Sequence, residues 1–459
     1  MKLNPDRIAP KTLVAFGAPA VGAGYMYLLL SLYVMKFSTD VLLIAPAVMG
    51  LIFSISRIWD AISDPLVGYL SDRTSTSLGR RRTWILFSFI PIAIGFYAVF
   101  APPQNLAVTG LSWWMAAAII GFYSAMTIFF VPHMALGAEL SNDYHERSRL
   151  FGLRHAFYTF GSILSLATMY WLITEEFREG GDVRAMAQEY ALYAVAIMSL
   201  LVVYAVVNLR ERPEFQGRMS SSPIAAFRDV WKNPHARLLI IVTFIENVGS
   251  SAIAALTLYV TQYVVGAPQW APLIIFAYML PSTASVPLWI PLSRRFGKIP
   301  VWIFGMVLTG LSFGGMFFLP FLETVEARLT LIIVMAAFAG LAAGCGGTIG
   351  PSVQGDVIDY DEYKTGERKE GSYFAVWNFT YKSALGFMLL LTGFALEAAG
   401  FVPNQPQSMT VQLTMVSLYG ALPLVCYGIG AGLFSRFKLN EEAYAEIRGE
   451  LDRRAAANP

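Results

Sequence analysis

The chain has 459 residues, 56% hydrophobic and only 14% charged, with a mean hydropathy of +0.54 and a formal net charge of +2. A soluble domain carries about 25% charged residues, so the composition excludes a chain whose whole surface faces water. The two cysteines, Cys345 and Cys426, lie in apolar runs, which excludes a disulfide framework or a cysteine metal site.

The N-terminal MKLNPDRIAPK is polar, and the apolar run after it is long enough to span a bilayer and stay, so no cleaved signal peptide is expected. Hydropathy then places twelve spans, at 13–37, 43–70, 83–102, 111–138, 151–174, 188–208, 238–265, 270–291, 299–320, 329–355, 372–397 and 411–435. Each supplies the ~20 residues that a hydrocarbon core of about 30 Å demands of a helix. Twelve spans put both termini on one side. All but six of the 33 Lys and Arg residues fall on that side: Arg178, Arg184 and Arg328 lie opposite, and Lys36, Arg57 and Lys382 lie within spans. The positive-inside rule therefore makes the termini cytoplasmic. The expected setting is a plasma membrane, the inner membrane of a bacterium, crossed many times.

The loops repeat six spans apart. GYLSDRTSTSLGRRRTWILF follows the second span and PLSRRFGKIPVWIF the eighth; both pass a Gly-basic turn and re-enter a helix at a tryptophan, Trp84 or Trp302. ELSNDYHERSRLFGLRHAFYTFGS follows the fourth span and GDVIDYDEYKTGERKEGSYFAVWNFTYKS the tenth. Both run from an acid at the helix end through Asp-Tyr and Glu-Arg to an aromatic span. The expected architecture is an all-α membrane protein of two six-helix bundles with the major facilitator fold and a solute site at mid-membrane. The expected divisions are an N-terminal bundle at 1–208, a cytoplasmic linker at 209–237, a C-terminal bundle at 238–437 and a cytoplasmic tail at 438–459. Within the linker, SPIAAFRDVWKNP reads as a short amphipathic surface helix.

Charges inside spans cost at least about 2.5 kcal/mol each and so call for a function. Span 2 carries Arg57, Asp60 and Asp64 on one helical face, with Ser63 between the acids and Pro65 after them. Two carboxylates one turn apart repel unless one takes a proton or the pair shares a cation. Oxygen ligands of this kind suit sodium, which makes Asp60 and Asp64 the expected metal-ion ligands; an ion-pair network that holds helices together is the alternative. Span 11 carries Lys382, for which Asp60 and Asp64 are the expected partners, as competitor to the cation or as a fixed salt bridge. In span 7, Glu246 has two roles open to it, binding solute or hydrogen-bonding the Asn247 and Ser250 region. Glu139 and Asp356, at the cytoplasmic ends of spans 4 and 10, are expected in gates with loop arginines such as Arg147 and Arg368. Position alone adds Tyr25, Tyr27, Phe130, His133, Trp377 and Tyr381 as cavity candidates, with helix packing as the plainer role for each ring.

RIWDAISDPLVGYLSDRT, VPHMALGAELSNDYHERSRL and DVIDYDEYKTGERKEGSYFAVWNF resemble segments of the glycoside–pentoside–hexuronide:cation symporter family, and the likeness runs along essentially the whole chain. The resemblance implies coupling to sodium, lithium or protons at Asp60, Ser63 and Asp64, with Thr127 as a further oxygen ligand, and it matches Lys382 to the family's lysine in span 11. The family's member melibiose permease has an asparagine at the Ser63 position. That permease holds galactosyl hydroxyls with acids that fall here on Gly22 and Phe130, and stacks them on a tryptophan that falls on Met134. The resemblance therefore implies no galactoside site of that design. The vertebrate sodium-coupled lysophospholipid transporters share the fold and cation motif and supply the second solute class.

The expected function is secondary active symport, driven by sodium or protons, of a small organic solute, foremost a sugar or glycoside. The alternative is a lysolipid or other amphipathic solute. No cofactor, nucleic acid or partner chain is expected, the chain acting as a monomer in the lipid bilayer. An enzyme is not expected, since no H-E-x-x-H, Walker loop or paired Cys/His ligands occur.

Overall fold

The computed structural model describes residues 8–140, 144–211, 228, 230–366, 370–439 and 441–457, and among them there is helix and turn but no strand. The chain forms two compact units, Met1–Ser220 and Ser221–Pro459. The first holds α1 (Pro10–Leu32), α2 (Pro46–Arg73), α3 (Arg80–Phe100), α4 (Val108–Glu139), α5 (Tyr144–Glu176) and α6 (Val183–Asn208). The second holds α7 (Pro234–Tyr259), α8 (Ala271–Ala284 and Val286–Phe296), α9 (Lys298–Gly315), α10 (Val325–Thr365), α11 (Glu370–Ala398), α12 (Met409–Phe434) and α13 (Glu441–Ala457).

Ten of these helices are long and apolar enough to cross a bilayer, and the two parts of α8, bent by 47°, together make an eleventh. The remaining expected span, 43–70, falls on α2. It has 28 residues, but Arg57, Asp60, Asp64, Asp72 and Arg73 dilute its apolar content, so it is not among the apolar helices. The expected linker helix lies almost wholly outside the described residues; Arg228 and 230–232 are helical. The tail, expected only as a cytoplasmic extension, contains α13, whose Ile447 and Leu451 pack into the apolar core of the second unit.

Packing repeats six helices on. In the first unit α1 packs on α5, α2 on α4, and α3 on α4 and α6; in the second, α7 packs on α11, α8 on α10, and α9 on α10 and α12. The chain beyond α1 ends in a π turn at Phe37–Val41, and α7 runs into one at Val260–Val265. Small residues set the closest approaches. A side chain at Gly161 of α5 would run into the Val21 carbonyl of α1, and one at Gly340 of α10 into the Tyr278 carbonyl of α8. Helices in lipid associate through such contacts because hydrocarbon gives apolar side chains no reason to leave it. On the outer faces, α3 and α6 expose Ile94, Leu200 and Val207 by 66%, 70% and 70%, as lipid-facing helices do.

Helix ends are satisfied locally. The Asn233 side chain accepts from the backbone N–H of His235 at 3.0 Å and Ala236 at 3.3 Å, with Pro234 at the first helical position of α7. Thr324 does the same for α10, accepting from Ala327 at 3.2 Å. That helix stops at Gly366, whose φ of 74° favours glycine. One deep charge is paired on both sides: Lys36 is 1% exposed, forms an ion pair with Asp40 at 3.3 Å and hydrogen-bonds Glu176 at the end of α5.

Replacing Gly161 by Val should lower stability by about 1–3 kcal/mol through forced separation of α1 and α5. Gly121→Ala, where an added Cβ meets nothing within 4 Å, should be neutral or mildly stabilising. Thermal unfolding of the detergent-purified variants separates the two, and an unchanged midpoint for Gly161→Val would contradict the close approach.

Candidate functional site

Spacing of three and four residues along α2 brings Arg57, Asp60, Ser63 and Asp64 onto one face, and that face meets α4. Thr127 Oγ1 lies 2.8 Å from Asp60 Oδ1 and 3.0 Å from Asp64 Oδ1. One hydroxyl carries one proton and can donate to only one of the two carboxylates at a time. A nearby proton donor or positive charge relieves the repulsion between them. Asp60 and Thr127 are each 2% exposed and Ser63 is 5% exposed, while Asp64 is half-buried, so water screens the Asp60 side of the site least.

The surrounding contacts hold the acids in place. Arg57 Nη1 stands 3.8 Å from Asp60 Oδ2, and its guanidinium lies 3.5 Å from the centre of the Tyr123 ring, an arrangement that keeps the cation against α4. Trp59 Nε1 donates to Ser124 Oγ at 2.7 Å and ties α2 to α4 from the adjacent face. Ser63 Oγ donates to the Asp60 carbonyl at 3.2 Å, which leaves the lone pairs of its oxygen for another group. Two carboxylates and two hydroxyls make a hard, all-oxygen donor set that fits sodium or lithium, and the carboxylates alone fit a proton. Among the described residues no three His, Cys, Asp or Glu side chains converge as a richer metal site. Lys382 stands half-buried on α11, in the other compact unit.

The expected cavity residues separate into groups. Tyr25 Oη donates to Thr168 Oγ1 at 3.0 Å across α1 and α5. The rings of Tyr27 and Phe130 meet at 6.2 Å, and Arg154 of α5 lies 4.8 Å from the Phe130 centre. His133 joins neither. It is fully buried, stacked on Phe16 at 4.4 Å and on Phe129 at 4.9 Å, with Nε2 3.0 Å from the Phe16 carbonyl. It packs α1 against α4 inside the bundle instead of presenting a donor to an open cavity. Trp377 is likewise buried, against Tyr373 and Phe374, whereas Tyr381 is 51% exposed. Glu246 lines a cavity of about 380 Å³ inside the second unit.

Arg154 is a residue that sequence reasoning passed over, because it sits at the first turn of an expected span and counts there with the loop's basic residues. It is 9% exposed, and its Nε and Nη2 find no hydrogen-bond partner among the described residues. The signal available in the sequence was an arginine inside the aromatic run LFGLRHAFYTF.

The gate acids have partners on the neighbouring helices. Glu139 pairs with the start of α3, at 2.7 Å from Arg80 Nη2 and 3.5 Å from Arg81 Nη2, and Arg81 also pairs with Asp72 at the end of α2. Asp356 accepts from Lys298 Nζ, at the start of α9, at 2.6 and 2.9 Å. Arg368 lies outside the described residues, and Arg147 lies in α5 with its side chain undescribed. The physical reason is packing. α3 lies against α4, and α9 against α10, which brings the cations opening α3 and α9 to these acids. Glu211 adds to this end of the first unit by accepting the backbone N–H groups of Arg80, Arg81 and Arg82 at 3.0, 2.8 and 2.7 Å, an anion on a helix N-terminus. In the second unit α13 closes over Asp359, with Tyr444 Oη donating at 2.8 Å and Arg448 at 3.7 Å. Burial first, and then the bond to Asp359, hold the Tyr444 phenol well above its ordinary value, so it remains a donor.

A profile of the family described as MFS/sugar transport protein matches residues 15–441. The chain is similar to the inner membrane symporter YicJ of Escherichia coli (strain K12), 24% identical over 95% of this chain and 93% of that one. It is 26% identical to sodium-dependent lysophosphatidylcholine symporter 1 of Xenopus tropicalis, over 90% and 84% of the two chains. It is also 26% identical to the isoprimeverose transporter of Lactiplantibacillus pentosus, over 90% and 85%. Among solved structures, a bacterial homologue of the human lysosomal transporter Spinster aligns with a TM-score of 0.68 at 12% identity, covering 94% of this chain and 99% of that chain.

A double-mutant cycle on Arg80→Ala and Glu139→Ala, read by thermal unfolding, should give a coupling of about 0.5–3 kcal/mol for a pair this close. Strictly additive losses would show that the two side chains do not share the bond.

Proposed function

This chain belongs to the MFS/sugar transport protein family, a family of membrane transporters, and from that membership and the α2–α4 geometry we propose that it is a cation-coupled symporter working by alternating access. The observation that carries the proposal is the convergence of Asp60 and Asp64 on the single hydroxyl of Thr127. Such a site has three stable fillings: a proton, a sodium ion or a lithium ion. Each neutralises part of the charge that the paired acids would otherwise hold, so cation occupancy and the packing of α2 on α4 are linked. Asp60, Ser63, Asp64 and Thr127 supply the ligands, and Arg57 limits the site to one positive charge by partly offsetting Asp60. Lys382 is proposed as the competitor for the same carboxylates from the second unit, which would tie filling of the site to movement of the units. Glu139 and Asp356, with Arg80, Arg81 and Lys298, are proposed to hold helix ends that part and rejoin in the cycle.

The solute proposed first is a sugar or glycoside, supported by the family's description and by the isoprimeverose transporter among the relatives. A second reading is favoured by Arg154. A buried guanidinium above Phe130 and beside Tyr27 suits an anionic headgroup on an apolar body, such as a lysolipid, and a lysophosphatidylcholine symporter is among the relatives. The bacterial inner membrane is proposed as the location, with cytoplasmic termini and action as a monomer.

The test needs no solute. Purified protein should unfold at a higher temperature in sodium chloride than in choline chloride of equal strength, since a cation bound only by the folded state stabilises it by about 2.7 kcal/mol at a hundred times Kd. Asp60→Asn and Asp64→Asn should lose that difference. Thr127→Ala should weaken the apparent sodium affinity about tenfold or more while Thr127→Ser retains it. A full sodium response in both carboxylate variants would refute the assignment.

A further inference from the structure

We propose that the second unit carries a solute-binding pocket of its own, built around Glu246, and that it takes a hydroxyl-rich ring of pyranose size. The proposal deepens the symport reading by giving the solute a place and a chemistry, and it rests on that reading for the solute being transported.

The pocket has about 380 Å³ of space, near the lower end of the range of roughly 300–1,000 Å³ for small-molecule sites. α7 contributes Glu246, Asn247 and Ser250, and aromatic walls come from Tyr278, Trp302 and Tyr427. Trp302 and Glu246 line the same hollow. No Lys, Arg or His is among the described lining residues. A carboxyl buried inside a membrane-spanning unit is costly unless something in the pocket donates to it.

The fourth wall is the informative one. α10 presents Gly346, Gly347 and Gly350 to the pocket. Glycine inside a helix costs about 0.5–1 kcal/mol relative to alanine, so three on one face need a reason. Close helix packing is the reason elsewhere on the same helix: Cβ atoms at Gly340 and Gly344 would collide with the α8 backbone. It is not the reason here. A Cβ at Gly347 meets nothing within 4 Å, and at Gly346 and Gly350 the nearest atoms are those of the Trp302 ring, at 3.7 and 3.6 Å. These glycines leave room for an occupant instead of for a neighbouring helix.

The donor set narrows the occupant. A carboxylate accepts several hydroxyl protons at once, and aromatic faces take the apolar C–H face of a sugar ring. Asn247 Nδ2 already donates to the Thr243 carbonyl at 2.7 Å, which holds that amide in place with its own oxygen remaining as an acceptor. Gln354 of α10 adds a second carboxamide to the lining. An ammonium group has three donors and no acceptor, and would leave these amides and the serine and tyrosine hydroxyls unused. A ring bearing several hydroxyls can engage them all. A lysolipid chain has no use for the polar lining.

The test uses the purified full chain with D-xylose, D-glucose and methyl α-D-glucoside as probes, read by Trp fluorescence and thermal shift, with choline and lysophosphatidylcholine as contrasting probes. At least one sugar should bind saturably. Glu246→Gln should weaken it by about tenfold or more. Gly347→Leu should fill the space and abolish binding. Gly355→Leu, on the same helix, outside the pocket lining and with nothing within 4 Å of its Cβ, should bind as wild type does. Gly347→Ala, a smaller addition, guards against misfolding of the leucine variant and should weaken binding measurably. No sugar binding to the wild type, unchanged binding in Gly347→Leu, or protection by choline or lysophosphatidylcholine through Glu246 would each overturn the proposal. The sodium response of the same samples keeps the two readings apart. Its absence in the wild type would count against the cation site, whereas its persistence in Glu246→Gln with sugar binding lost would locate the effect in the pocket.

Discussion

Two carboxylates brought to one hydroxyl repel each other, and a compensating positive charge relieves that repulsion. Asp60 and Asp64 meet that condition at Thr127, and the rest of the first unit is arranged around it. Arg57 leans on Tyr123 and stands 3.8 Å from Asp60, while Trp59 and Ser124 fix the distance between the helices that carry them. A helix holding five charged residues would be a poor membrane span alone. It persists because α4 and the charge network shield the polar face while Ile55, Ile58 and Ile62 are turned outward. Fold and site are thus one problem in this unit: α2 needs the site to be neutralised, and the site needs α2 to be packed.

The second unit repeats the packing but not the chemistry. α8 lies on α10 as α2 lies on α4, and the ends of α3–α4 and α9–α10 are tied by a cation from one helix to an acid on the other. α8 carries no counterpart of the Asp60–Asp64 pair, and bends at its own break instead. Glu246 on α7 instead lines a pocket beside a wall of glycines. A duplicated frame has therefore been put to two uses, one holding charge against a hydroxyl and the other leaving a polar hollow.

Much of this is legible from residue order. Apolar runs of about 20 residues locate the helices because hydrocarbon permits little else. The face shared by Arg57, Asp60 and Asp64 follows from helical spacing, and so does the singular character of α2. The pairs Glu139–Arg80 and Asp356–Lys298 are not legible in this way, since their members are distant in sequence and near in space. Arg154 is hidden by its place at the edge of an apolar run, where hydropathy cannot separate a loop cation from a buried one. His133 looks available because it is polar, and only the stacking on Phe16 and Phe129 reveals that α1 and α4 close over it. The glycines of α10 read alike along the chain, yet Gly340 touches backbone and Gly347 touches nothing. That distinction belongs to tertiary structure alone.

The central claim is that Asp60 and Asp64 hold one exchangeable cation. Equilibrium binding of radioactive sodium to the purified chain at mildly alkaline pH tests it most directly. The account predicts saturable binding of one ion per chain, weakened as acid supplies competing protons, and absent from both Asp60→Asn and Asp64→Asn. Saturable binding that survives in the two variants together would contradict it.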